Sequence, residues 1–184
     1  MYSRVVGEWC QAPVRTGVEL GMQGARAEEI KQRLRSLKVL IVDDNAFMRK
    51  IVRDLLSNIG IRNTAEASDG LAALEAIRGA MPDLVILDWE MPFLNGFEFV
   101  RIVRTPGVFP YSDLPIIMLS GHGGRENVLE AVRLGVNEFL KKPVSANALF
   151  QRIVSVIMNP RPMVRMGGHY RPQPRGGKAR SNAV

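Results

Sequence analysis

The segment LVILDWEMPFLNG, Leu84 to Gly96, sets four uninterrupted apolar residues directly before an aspartate, and then a loop rich in Pro, Asn and Gly. So short an apolar run, bounded by turn residues, reads as a strand buried on both faces, which is the signature of a parallel sheet. Asp88 then stands at the carboxyl end of that strand, where open α/β sheets keep their ligands. Working outward, the same grammar repeats. Val39–Val42 is a second such run, followed at once by Asp43 and Asp44, and Ile116–Leu119 is a third, closed by Ser120. Thr64–Ala67 is a weaker strand, and Glu138–Lys141 a fifth, with Lys142 beyond it.

Helical periodicity fills the intervals. Phe47, Met48, Ile51, Val52, Leu55, Leu56 and Ile59 recur at helix spacing up to Gly60, and Leu71–Arg78, Phe97–Arg104, Glu126–Leu134 and Ala146–Met158 also read as helices. Five strands alternating with five helices imply right-handed crossovers and a doubly wound α/β sheet covered on both sides. Ala27–Leu37 reads as a short helical lead-in with Ile30, Leu34 and Leu37 on one face, and residues 1–26 as a poorly structured extension. Residues 160–184 hold six Lys/Arg, no acid and many Pro and Gly, and are expected to be a disordered basic tail. No second folded domain is expected after Met158, and Met22 is a candidate translation start.

The 184 residues carry +7, but residues 37–159 sum to −1, so the basicity belongs to the ends. The tail has one aromatic, Tyr170, and no folded nucleic-acid motif, so specific nucleic-acid binding is not expected. Cys10 is the only cysteine, which excludes an intrachain disulfide and suits a reducing, cytoplasmic setting. No apolar run is long enough to span a membrane.

If the strands carrying them are neighbours, Asp43, Asp44, Asp88, Ser120 and Lys142 meet in one pocket. Three carboxylates so close repel unless a cation neutralises them, and oxygen-only ligands suit Mg²⁺. A carboxylate nucleophile, a metal and a cationic side chain are the equipment of phosphoryl transfer to aspartate.

Four motifs in order, LIVDDN (Leu40–Asn45), LVILDWEMPFLNG (Leu84–Gly96), PIIMLSG (Pro115–Gly121) and EFLKKP (Glu138–Pro143), resemble the receiver domain of two-component response regulators, over about Lys38 to Met158. The resemblance implies a flavodoxin-like five-stranded sheet of order 2-1-3-4-5, with residues 38–159 as the receiver. It implies Asp88 as phosphoacceptor from a histidine kinase or histidine phosphotransfer protein. Mg²⁺ would be held by Asp44, Asp88 and the Glu90 carbonyl, with Asp43 acting mainly through water. Ser120 and Lys142 would bind the phosphoryl group, and Phe139 would be the aromatic switch that follows Ser120. The Lys142–Pro143 bond is expected to be cis. Glu90 and His122 would tune hydrolysis of the acyl phosphate, and Trp89 would report binding by fluorescence. The surface formed by the helix over 126–134, strand 138–141 and the helix over 146–158 would regulate a protein target, with phosphorylation-dependent dimerisation through it as a further expectation. Such a chain is a switch and no enzyme beyond its own phosphorylation and dephosphorylation. Three other readings compete: an aspartyl-phosphate enzyme, a phosphoryl sink, and an unphosphorylated scaffold. The kinase, the target and the direction of signalling are not legible.

Overall fold

A computed structural model describes residues 20–121 and 124–174. The elements run α1 (Leu20–Ser36), β1 (Lys38–Val42), α2 (Ala46–Asn58), β2 (Asn63–Ala67), α3 (Gly70–Ala80), β3 (Leu84–Asp88), α4 (Gly96–Arg104), β4 (Ile116–Ser120), α5 (Arg125–Leu134), β5 (Glu138–Lys141), α6 (Ala146–Met158), β6 (Met163–Met166) and β7 (His169–Pro172). Strands β1 to β5 form one parallel sheet in the order β2-β1-β3-β4-β5, as the family resemblance implies.

Burial explains the composition of each strand. Every residue of β3 and β4 is buried, because helices cover both faces of the sheet's centre. The edge strand β2 is half exposed, and its sequence Asn63-Thr-Ala-Glu-Ala67 is correspondingly polar. Alternate strand residues feed two cores. Leu40, Val42, Val85, Leu87 and Met118 join Phe99, Val100 and Ala131 on the side of α3, α4 and α5. Val39, Ile41, Ile86, Ile117 and Leu119 join Val52, Leu56, Leu149 and Ile153 on the side of α2 and α6. Each Val, Leu, Ile, Phe or Met side chain among them contributes about 1.5–3 kcal/mol when fully buried.

Local signals set the helix ends. Asn45 caps α2 by accepting from the Phe47 and Met48 amides, Asp69 caps α3, Ser145 caps α6, and Asn95 and Glu98 form a capping box on α4. Gly96 lies so close beneath β3 that a Cβ there would stand 2.2 Å from the Asp88 carbonyl oxygen. The loop after Asp88 therefore closes only with glycine at this position.

Two stretches depart most from the sequence reading. The lead-in helix begins at Leu20, seven residues before the expected Ala27, and so takes in residues 20–26 of the stretch read as unstructured. Leu34 and Leu37 are buried against the α2–α6 core, and Arg33 reaches the Ile157 carbonyl at 3.4 Å. Packing at one end nucleates the helix, and propagation back through weaker sequence then costs little. Residues 1–19 lie outside the described residues.

The second difference is larger. Residues 163–172 of the expected disordered tail form an antiparallel hairpin, β6–β7, which packs on α4 and α5. A composition argument counts only the apolar surface a segment carries itself. It misses the surface that the rest of the fold offers, and a two-stranded hairpin depends on that. Residues 175–184 lie outside the described residues. Among the described residues no helix is long and apolar enough to cross a membrane.

Candidate functional site

Strand order brings the polar residues together. Register pairs Val42 with Leu87, Asp88 with Leu119, and Ser120 with Lys141, so the carboxyl ends of β1, β3, β4 and β5 lie side by side. One carboxylate oxygen each of Asp43, Asp44 and Asp88 lie within 4.8 Å of one another. The Lys142 ammonium sits among them, 2.9 Å from Asp43 Oδ2 and 2.8 Å from Asp88 Oδ1. Its backbone amide donates to the Ser120 carbonyl at 2.8 Å, which ties the end of β5 to β4, and the Lys142–Pro143 peptide is cis.

The three acids are not equivalent. Asp43 and Asp88 are buried, with 2% and 6% exposure, whereas Asp44 faces solvent. Asp43 Oδ1 accepts from the Asn45 amide at 2.9 Å, so this carboxylate is held from both sides. Burial pushes the Asp88 carboxyl above the ordinary range, and neighbouring Asp43 adds to that, while Lys142 pulls the other way. For Lys142, burial alone would favour the neutral amine. The hydrogen bonds to Asp88 and Asp43 outweigh it and hold the ammonium above its usual value. One cation thus serves two buried anions.

The remaining expected residues fall around this centre. Ser120 is fully buried at the end of β4. Phe139 is buried as well, inside the α3–α5 core and paired in register with Met118. Glu90 is exposed on the loop after Asp88. His122 lies outside the described residues. Trp89 is half-buried and meets Phe97 edge-on, with ring centroids 6.2 Å apart. A cleft of about 690 Å³ opens beside the acids, lined by Asp44, Trp89, Glu90, Met91, Phe97 and Glu130 among others.

Two residues of the site escape a sequence reading. Arg49 Nη1 donates to the Asp43 carbonyl at 2.8 Å and the Asp44 carbonyl at 3.3 Å, while its Nε pairs with Glu66 at 3.0 Å. It thereby fixes the backbone of the acidic pair. A cation in the first turn of a helix runs against the helix dipole, and that anomaly was the available signal. Glu130 reaches the cleft from α5, and helical periodicity marks it only as a solvent-facing position.

The donor set fits a hard cation. Three clustered carboxylates, one of them open to solvent, match the few carboxylates with retained water that Mg²⁺ prefers. The family model for the response regulator receiver domain matches residues 39–154, most of the chain. The chain belongs to the response regulator receiver family. Within that family it is 37% identical over 119 residues to the chemotaxis protein CheY-3 of Vibrio cholerae, covering 65% of this chain and 90% of that protein. Among solved structures it resembles V. cholerae CheY4, with 34% identity and a TM-score of 0.59 over 65% of this chain and 98% of the other. It also resembles a chain of the Borrelia burgdorferi CheX–CheY–BeF3–Mg complex, with 27% identity and a TM-score of 0.59, covering 66% and 89%. This receiver is therefore a signalling domain, and residues beyond 154 stand outside the family match.

Proposed function

We propose that this receiver is a phosphorylation-activated switch whose phosphoacceptor is Asp88. The observation that carries the reading is the bridge of Lys142 to both Asp43 and Asp88, at 2.9 and 2.8 Å, beside solvent-facing Asp44. An Asp88 carboxylate oxygen attacks the phosphorus of a phosphohistidine on a kinase or phosphotransfer protein. The new O–P bond forms as the P–N bond breaks, and the histidine leaves. Asp44, Asp88 and the Glu90 carbonyl, with Asp43 acting mainly through water, would hold Mg²⁺, which would supply positive charge to the transferring group.

The chain's own residues do the rest. Lys142 exchanges one of its two carboxylate partners for a phosphoryl oxygen, so the ammonium stays paired with anions throughout. Ser120 supplies a hydrogen bond to a second phosphoryl oxygen, and Arg49 holds the acidic pair in place. The phosphoryl group adds about −1.5 to −2 charge at the ends of β4 and β5. Ser120 and Phe139 carry that change to the α5–β5–α6 surface, which regulates a protein partner. CheX, bound to CheY in the B. burgdorferi complex, is one kind of protein that a related chain assembles with. Kinship with chemotaxis proteins supports a cytoplasmic setting and a kinase donor, and Glu90 and His122 are the positions proposed to tune hydrolysis.

The test is acetyl phosphate with Mg²⁺, read by intact mass, and beryllofluoride titration read by Trp89 fluorescence. Wild type gains one phosphoryl group and a Mg²⁺-dependent fluorescence change, and Asp88→Asn gives neither. An unchanged wild-type mass, with no response to Mg²⁺, overturns the reading in favour of an unphosphorylated scaffold.

A further inference from the structure

At the end of the sheet remote from Asp88, the chain returns onto its own receiver. After α6, the Arg161 guanidinium donates to the Asn137 carbonyl and lies 4.0 Å from Glu138 Oε1, at the start of β5. Gln173 donates to the Pro162 carbonyl at 2.9 Å, closing the base of the β6–β7 hairpin. Strand β7 lies against α4 and α5. Its contacts fall at the ends of those helices. His169 Nδ1 is 3.3 Å from Thr105 Oγ1, just past α4, and the Tyr170 carbonyl presses on Gly135, just past α5. A Cβ at Gly135 would stand 2.4 Å from that carbonyl, and Gly135 also holds φ +97°, so glycine is required there on both counts. The receiver family match stops at residue 154, so nothing in it assigns a role to this hairpin.

We propose that the β6–β7 hairpin is a built-in brake on the switch. Docked across the α4–α5 seam, it stabilises the conformation in which Lys142 bridges Asp43 and Asp88, and phosphorylation of Asp88 releases it. The proposal rests on the reading that α5, β5 and α6 form the responding surface. The hairpin and its stem touch α4, the end of α5 and the start of β5 together. Any shift of α5 or β5 relative to α4 therefore strains or breaks a contact. Contacts made in one state and lost in the other shift the population between them, and the coupling is reciprocal. If the active state expels the hairpin, the hairpin must oppose the active state by the same factor. Two four-residue strands are too few to hold together undocked, so release is read as loss of order.

The turn offers a clean lever. Gly167 holds φ +67° in the two-residue Gly167-Gly168 connection, and a Cβ there would meet nothing within 4 Å. Gly167→Val thus penalises the hairpin through its backbone alone, far from the acidic pocket. Gly135→Ala attacks the docking surface instead, and Gly168→Ala is the control, with open space around it and no positive φ.

The experiment uses the full chain of wild type and the three variants. Beryllofluoride with Mg²⁺ is titrated by Trp89 fluorescence, and hydrogen exchange is followed by mass spectrometry over residues 163–172. Saturating beryllofluoride is expected to raise exchange across 163–172 in wild type. Gly167→Val is expected to exchange fast there without it and to bind beryllofluoride about five-fold more tightly or better. Gly135→Ala should follow it, and Gly168→Ala should match wild type. Normal beryllofluoride binding with hairpin protection unchanged overturns the brake alone, as does an undocked Gly167→Val with wild-type affinity. A wild type that ignores beryllofluoride overturns the phosphoacceptor reading and this one with it.

Discussion

The two ends of the sheet each hold a cation, half-buried at one and wholly buried at the other, and they treat it in opposite ways. At the carboxyl end, Lys142 is shared between two carboxylates, and burial still pushes the Asp88 carboxyl above its ordinary range. At the opposite end, Arg104 is wholly buried and donates to four oxygens: the Gly135 carbonyl at 2.9 Å, Ser112 at 2.7 Å, Leu114 at 2.8 Å and Asn137 Oδ1 at 3.0 Å. Burial lowers the Arg104 guanidinium to about 9, against a small opposite pull from Asp113, and it remains charged at neutral pH. One end is left with more negative charge than its own cation balances, which suits the metal and phosphoryl group proposed for it. The other end is saturated with hydrogen bonds and anchors the 105–114 loop, the end of α5 and the start of β5. The proposed function sits where compensation is incomplete, and the hydrogen-bonded anchor where it is complete.

The sharpest way to break this contrast is at Arg104. Arg104→Met leaves the Gly135, Ser112 and Leu114 carbonyls without this donor, and is expected to cost about 3–5 kcal/mol, or roughly 10 °C in Tm. A loss under about 1 kcal/mol in urea unfolding would show that the buried guanidinium is not what holds that end together.

A smaller effect is expected at Lys142. In metal-free protein, Lys142→Met leaves Asp43 and Asp88 facing one another without their ammonium, and should lower stability at neutral pH by about 1–3 kcal/mol. Because the lysine's folded value is raised, its contribution is fully present below the ordinary lysine pKa and is lost as pH rises through the folded value. Acidification should narrow the gap between variant and wild type from the other side, as the carboxylates protonate. A gap that stays constant from about pH 4 to pH 8 would contradict the shared-charge picture.

The smallest stability change carries the opposite sign. Asp88→Asn should stabilise metal-free protein at neutral pH by about 1 kcal/mol, some 2–4 °C, while abolishing phosphorylation. The Asp88 carboxyl is raised in the fold, so its favourable contribution is complete below the ordinary aspartate pKa and is lost as pH rises through the folded value. Thermal melts in chelator should therefore converge at low pH and separate at neutral pH, with the variant higher. A wild type more stable than Asp88→Asn in chelator at neutral pH would mean that Asp88 is adequately compensated after all.

The acidic pocket was legible because its residues follow apolar strands directly, and a strand's end is a place the sequence marks. Asp43, Asp44, Asp88, Ser120 and Lys142 each stand at such a boundary. Arg104 was not legible. It closes a helix, where a basic residue ordinarily faces water and complements the dipole, and only the fold turns it inward. The hairpin carried a readable signal, the Gly167-Gly168 pair between two short runs, but the Pro, Gly and Arg content around it pointed to disorder instead.

Sequence alone determined the alternation of strands and helices, the family and the set of residues at the carboxyl ends, because apolar period and turn chemistry are local properties of the chain. Only the tertiary structure decided that Lys142 pairs with two acids at once, that Arg49 pins the acidic loop and that the chain's end folds back across α4 and α5. Those are contacts between segments as far as 99 residues apart. Their energies depend on what surface each segment finds already formed, which no local pattern records.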